Sequence, residues 1–166
     1  MRYLQIANVW VVVCLCNFEL HAQNMMDIDS LLSVYQKQAD DTVKVRTINH
    51  IINYYMYRDI EQAKDFAQQQ FRLAEKLDFL SGKALANYQL AVVNENLEQR
   101  DSAGYYYRVS LEQAREVNNP IYISKVYHGL AILEFHQGNL GKADSLGSLN
   151  LEHCLTHQDT MGAALA

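Results

Sequence analysis

The sequence predicts an all-α chain, a right-handed solenoid of antiparallel helical hairpins, and three observations carry that prediction. The first is composition. The 166 residues include one proline and seven glycines, while Leu, Ala, Gln, Glu, Lys and Arg are plentiful, which favours helices over the turn-rich texture of a sandwich or barrel. The second is rhythm: apolar residues recur at helical spacing, as in Leu85, Tyr88, Ala91, Val92 and Leu97. The third is repetition. Asp59-Ile60-Glu61-Gln62-Ala63, Gln99-Arg100-Asp101-Ser102-Ala103 and Asn139-Leu140-Gly141-Lys142-Ala143 overlay with a constant step of 40 residues. Helical rhythm inside units of that length is the signature of a helical repeat array.

Taken in order, the chain opens with a stretch unlike the rest. Arg2 precedes the apolar run Val9 to Leu15, and Leu20-His21-Ala22 ends in a small residue, so residues 1–22 read as a signal peptide and the protein as exported, to the periplasm or cell envelope. The run is shorter than the ~20 residues a membrane-crossing helix needs. Val13 and Leu15 stand before Cys14 and Cys16 where a lipoprotein signal wants a small residue. With the leader removed only Cys154 remains, which leaves no internal disulfide and makes packing the source of stability. Residues 23–40 are expected to form an N-terminal capping helix, from Ile28 to Gln38 with Ser30 as its cap.

Three units follow, at 41–80, 81–120 and 121–160, with the start of a fourth at 161–166. Their first helices are expected at Thr42 to Tyr57, Gly82 to Leu97 and Ile121 to Gln137; the second at Glu61 to Leu77, Ser102 to Val117 and Leu140 to His157. Arg58-Asp59, Gln99-Arg100-Asp101 and Gly138-Asn139 mark the turns within units, where an Asp or Asn can cap the following helix. Asp78 to Ser81 and Asn118-Asn119-Pro120 separate the units, the proline standing at a helix start. Ala63, Ala103 and Ala143 are small where the helices of a hairpin cross and let the backbones approach. The same step relates Ala74, Ala114 and Cys154, and also Phe71, Leu111 and Leu151.

On these residues the chain resembles the tetratricopeptide repeat family in its longer, roughly 40-residue variety. The third unit carries the match best, with Tyr127, Leu130-Ala131, Phe135, Gly138-Asn139 and Ala143. The second keeps Leu90-Ala91, Ala103, Tyr107 and Leu111 but has Asn87 where an aromatic is usual, and the first keeps Tyr54-Tyr55 and Ala63. The resemblance covers about residues 41 to 166 and implies a scaffold that binds a protein or peptide on its concave face. Asp29-Ser30-Leu31-Leu32 and Asp41-Thr42-Val43-Lys44-Val45, behind a leader ending in Ala-Gln, are similar to the exported sensory arms of Bacteroidetes histidine kinases and related regulators. That likeness implies an alternative, the sensory region of a signalling protein whose membrane span and output domain lie beyond residue 166.

Charge and motif content narrow the chemistry. A net charge of -5 offers no basic stripe for phosphates, which disfavours nucleic acid and anionic membrane surfaces as partners. Glycine-rich phosphate loops, nucleophile elbows and His-Glu-x-x-His pairs are missing from the sequence, so no catalytic residue, cofactor or metal site is assigned. His153, Cys154 and His157 have metal-like spacing but do not close a site, and read as a core cysteine between solvated histidines. His50, His128 and His136 fall on first helices. The runs Tyr54, Tyr55, Tyr57 and Tyr105, Tyr106, Tyr107 cannot each face one way, so some are exposed. Partner contacts are assigned to first-helix residues on the inner curve: Asn53, Asn87, Asn94 and His128.

Overall fold

Helices stop and restart on a fixed beat in the computed structural model, which describes residues 27–157. The leader expected at 1–22, the start of the capping segment at 23–26 and the expected fourth unit at 161–166 lie outside the described residues. Seven helices are present among the described residues: α1 (Ile28–Lys37), α2 (Thr42–Tyr55), α3 (Ile60–Lys76), α4 (Leu80–Asn96), α5 (Arg100–Glu116), α6 (Pro120–His136) and α7 (Leu140–Thr156). All begin and end within two residues of the positions expected from sequence. The all-α repeat of antiparallel helices is therefore the observed fold, and no strand occurs among the described residues.

Two compact units divide the chain at Lys37/Gln38. In the first, α1 starts at Ile28, and the Asp27 carboxylate accepts a hydrogen bond from the Asp29 N–H at 3.3 Å. Ser30, expected to cap this helix, is its third residue; the acidic side chain ahead of it takes the capping role.

The second unit contains α2 to α7. From α3 onward every helix has 17 residues and every connection three, so the backbone repeats each 20 residues. One turn type accounts for this. Asp78, Glu98, Asn118 and Gly138 have positive φ, between 46° and 80°. Their N–H groups donate to Glu75, Glu95, Arg115 and Phe135 carbonyls at 2.9–3.0 Å, and the next residues, Phe79, Gln99, Asn119 and Asn139, reach Ala74, Asn94, Ala114 and Glu134 at 2.8–2.9 Å. That pair of bonds is the Schellman motif, which satisfies the last carbonyls of each helix and reverses the chain. The turn after α2 differs: Arg58 and Asp59 both donate to the Tyr55 carbonyl.

Caps divide along similar lines. Asp41, Asp59 and Asn119 accept from the N–H three residues on, at 2.9, 3.1 and 3.1 Å, and Pro120 sits at the start of α6. Asn139 holds the N-cap position of α7 without capping; its amide donates instead to Glu134 at 2.7 Å. Asp101, expected among the capping residues, lies inside α5, and Gln99 occupies the cap position with no side-chain bond.

Within this second unit each helix packs on the next in the chain, and the first helices also touch each other, α2 against α4 and α4 against α6. No comparable contact links α3 with α5 or α5 with α7. First helices are thus gathered on one side and second helices spread on the other. Buried small residues make the close approaches: Ala63, Ala74, Ala91, Ala103 and Ala114 are fully buried, with Leu90 nearly so. Ala143, Leu130 and Ala131 are only half-buried; among the described residues α7 packs against α6 alone.

Two features hold the stack in register. Gln70, Ser110 and Asn150, 40 residues apart, are polar yet fully buried on successive second helices. Gln70 donates to the Val45 carbonyl and Ser110 to the Ala84 carbonyl, both at 2.8 Å, tying each second helix to its first. In the third hairpin Asn150 accepts from Cys154, whose sulfur lies 3.2 Å from Ser124 Oγ. Between hairpins, the Tyr107 ring of α5 lies over Gly129 of α6, where an added Cβ would sit 2.5 Å from ring carbons.

Two substitutions test this account. Glu98 alone among the four left-handed residues is neither glycine, Asn nor Asp, and its side chain is exposed. Glu98→Gly removes a left-handed strain of about 1–2 kcal/mol against a chain-entropy cost of about 0.5–1. A rise in melting temperature of roughly 2–4 °C is expected; a fall means the turn is not strained. Gly129→Ala is expected to cost about 1–3 kcal/mol by overpacking Tyr107, read by urea denaturation, and a neutral result removes the interlock.

Candidate functional site: a groove along the first helices

The side on which the first helices gather carries a cavity of about 220 Å³. Asn49 and Asn53, one helical turn apart on α2, form one wall, and Tyr88, Gln89 and Val92 of α4 form the other. Lys125 of α6 closes it across the next hairpin, and Met56 and Tyr57 close its end at the turn after α2. Three successive hairpins therefore build one site.

Its polar groups are set by the fold. Gln89 is buried and its Nε2 donates to Oδ1 of both Asn49 and Asn53, the second at 3.2 Å. With both oxygens taken, the asparagines offer a ligand their Nδ2–H donors, which suit a main-chain carbonyl or a carboxylate. Lys125 stands with Nζ 5.9 Å from the centre of the Tyr88 ring, a cation–π geometry. No salt bridge among the described residues involves Lys125 or Arg46. Tyr57 is 85% exposed at the groove end, an aromatic surface with a polar tip.

The charge distribution follows. No Asp or Glu occurs from Thr42 to Tyr57, from Phe79 to Asn94 or from Asn119 to Leu133, whereas Lys44, Arg46, Lys83 and Lys125 do. Those stretches of the first helices are basic in a chain whose net charge is -5. Lys44 and Lys83 are paired, with Asp40 at 3.0 Å and Asp78 at 2.9 Å. The latter pair holds the Asp78 carboxyl below the usual carboxylate range, chiefly through its hydrogen bond with Lys83. Arg46 lies close enough to Tyr122 to oppose the upward push that burial gives that phenol.

Under the groove, Tyr88 packs on Tyr107 with ring centres 6.1 Å apart. Tyr107 is 1% exposed and its hydroxyl donates to Glu95 Oε2 at 2.7 Å. Burial, then the adjacent Glu95 carboxylate, raises the Tyr107 phenol far above its ordinary value, and burial raises Tyr88 as well.

Of the four partner-contact residues expected from sequence, Asn53 lines the groove and is exposed. Asn87 and Asn94 are buried and spend their amides internally, Asn87 on Gln113 at 2.9 Å and Asn94 on the Leu90 carbonyl at 2.7 Å. Their expected surface placement is corrected: α4 is flanked by α2, α3, α5 and α6 and buries residues around most of its circumference. His128 is half-buried on α6 and does not line the groove cavity.

Gln89, Tyr88 and Lys125 were not assigned from sequence. The signal that reveals them is the lack of carboxylates along most of each first helix, legible once those helices are aligned.

The His153-Cys154-His157 stretch follows the expected core cysteine and solvated His157, and departs from expectation at His153. Cys154 is fully buried. His153 is half-buried with Nε2 3.0 Å from the Pro120 carbonyl, and its ring lies 4.3 Å from that of the exposed His157. Among the described residues no group of His, Cys, Asp and Glu could hold a metal ion, and no helix is long and apolar enough to cross a membrane. No protein-family profile matches the chain, and neither a curated protein nor a solved structure matches it.

The phenol buried beneath the groove makes stability pH-dependent. A Tyr107 that stays protonated in the fold but ionises when unfolded contributes fully below about pH 10 and progressively less as pH rises above it. Tyr107→Phe is expected to cost about 1–3 kcal/mol at neutral pH by stranding Glu95. It should also lose less additional stability than the parent between neutral pH and pH ~11; equal alkaline slopes would assign the effect to Tyr88 and Tyr122.

Proposed function

We propose that the protein is a binding scaffold of tetratricopeptide-like hairpins that holds an extended protein or peptide segment along its first-helix groove. The observation that supports this most directly is the groove itself: amide donors, an aromatic wall and a lysine with no salt bridge among the described residues converge from three successive hairpins on one cavity. Asn49 and Asn53 supply donors for main-chain carbonyls, while Tyr57 and Tyr88 supply apolar area that needs little ordering on binding. Lys125 and Arg46 favour segments that carry a carboxylate, an attraction that acts on encounter and weakens with salt.

Nothing in the site asks for bond making. The side chains present donors and surface, without a nucleophile hydrogen-bonded to a base, and the proposed role is recognition only.

The test uses a randomised peptide library selected on the whole chain. Selected peptides should bind a Tyr57→Ala, Lys125→Glu double variant about tenfold or more weakly, a loss of about 1.4 kcal/mol or greater, and a Lys64→Glu variant on α3 unchanged. Failure to select any peptide, or equal binding to the double variant, overturns the groove as the recognition surface.

A further inference from the structure

A second cavity, of about 380 Å³, lies beyond the groove where α4 and α6 end and α5 begins. Glu95 and Asn96 of α4, Glu98, Arg100 and His136 supply its polar lining, and Leu133 its apolar wall. Tyr88, Val92, Glu95 and Asn96 are spaced so that both cavities open along one face of α4.

Glu95 is the unusual member. Its side chain is 16% exposed. Oε2 accepts from Tyr107, but Oε1 is buried with no hydrogen-bond partner. The nearest cationic candidate, His136 Nδ1, stands 3.9 Å away, beyond hydrogen-bond distance, on a side chain that is 51% exposed. A buried carboxylate oxygen without a donor costs stability, and a donor-bearing partner would recover that cost. The neighbouring groups define the partner: two carboxylates, Glu95 and Glu98, face one guanidinium, Arg100, which makes no salt bridge among the described residues. Leu133 offers a wall for an aliphatic stem.

We infer that this cavity is a second subsite of the same recognition surface and takes a lysine or arginine side chain of the bound segment, its cationic head completing Glu95 as the half-exposed His136 ring turns aside. The inference rests on the groove reading. Tyr88 and Glu95 are seven residues apart on α4, roughly 10 Å at the helical rise of 1.5 Å per residue. An extended peptide covers that distance in about three residues. The ligand therefore pairs an acidic side chain near Lys125 with a basic one about three residues away, matching the basic-to-acidic polarity of the surface.

The deciding experiment repeats the randomised-library selection on the whole parent chain and on Glu95→Gln, which keeps an oxygen to accept from Tyr107. Parent-selected peptides should be enriched in Lys or Arg at one position, about three residues from an Asp or Glu. Glu95→Gln should bind them about tenfold more weakly and lose the basic enrichment in its own selection, while keeping the acidic one. If Glu95→Gln does not fold by circular dichroism, exposed Glu98→Gln carries the same comparison with the same expected loss of basic enrichment. Peptides selected without basic enrichment, or with enrichment unchanged in the variant that folds, overturn the subsite and leave the groove standing. A parent that selects no peptide overturns both.

Discussion

Everything from α3 to α7 depends on a chain reversal that satisfies the final carbonyls of a helix in three residues. The left-handed residue at 78, 98, 118 and 138 bends the backbone back, and the bond from the next residue to the carbonyl five before it seals the end. Identical reversals give helices of identical length, and equal antiparallel helices stack with their ends level. Level ends bring Asn49, Gln89 and Lys125 of successive hairpins into one row, and place Glu95 beside the start of α5. The groove and the second cavity are thus consequences of turn chemistry as much as of side-chain choice.

Burial of polar groups at repeated positions adds the axial register that apolar packing leaves loose. Leucine and alanine contacts tolerate sliding along a helix axis, whereas a hydrogen bond from Gln70 to the Val45 carbonyl, or from Ser110 to that of Ala84, does not. Tyr107 fulfils the same need between hairpins, since its ring fits only over a residue without a side chain. The uniqueness of the stack comes from these few directional contacts, and its stability from the buried apolar columns around them.

Helix positions were legible from the sequence because the alanine, aromatic and turn residues share one step, and the turns carry residues with a physical reason to leave a helix. The finer beat of 20 residues was not, since Asp78, Glu98, Asn118 and Gly138 have little chemistry in common beyond backbone geometry. The site was harder to read. Asn53 and Asn87 are the same residue type on equivalent helices, yet one is exposed and the other buried. An asparagine on a helix surrounded by four others is enclosed on nearly every side, and composition does not disclose how many neighbours a helix has. Lys125 was overlooked for a related reason: a charge acquires meaning as a ligand contact only when nearby helices are known to lack its complement.

Equivalent reversals at every helix end also constrain how such a protein changes length over generations. Duplication of a single helix with its turn would be accepted locally, because the reversals are interchangeable, but it would exchange inner and outer roles for everything downstream, exposing the columns of small residues and burying the charged faces. Duplication of a helix pair preserves those roles and adds another rung to the row of groove side chains. The heritable unit of such an array is therefore the pair, and its recognition surface grows in increments of one hairpin.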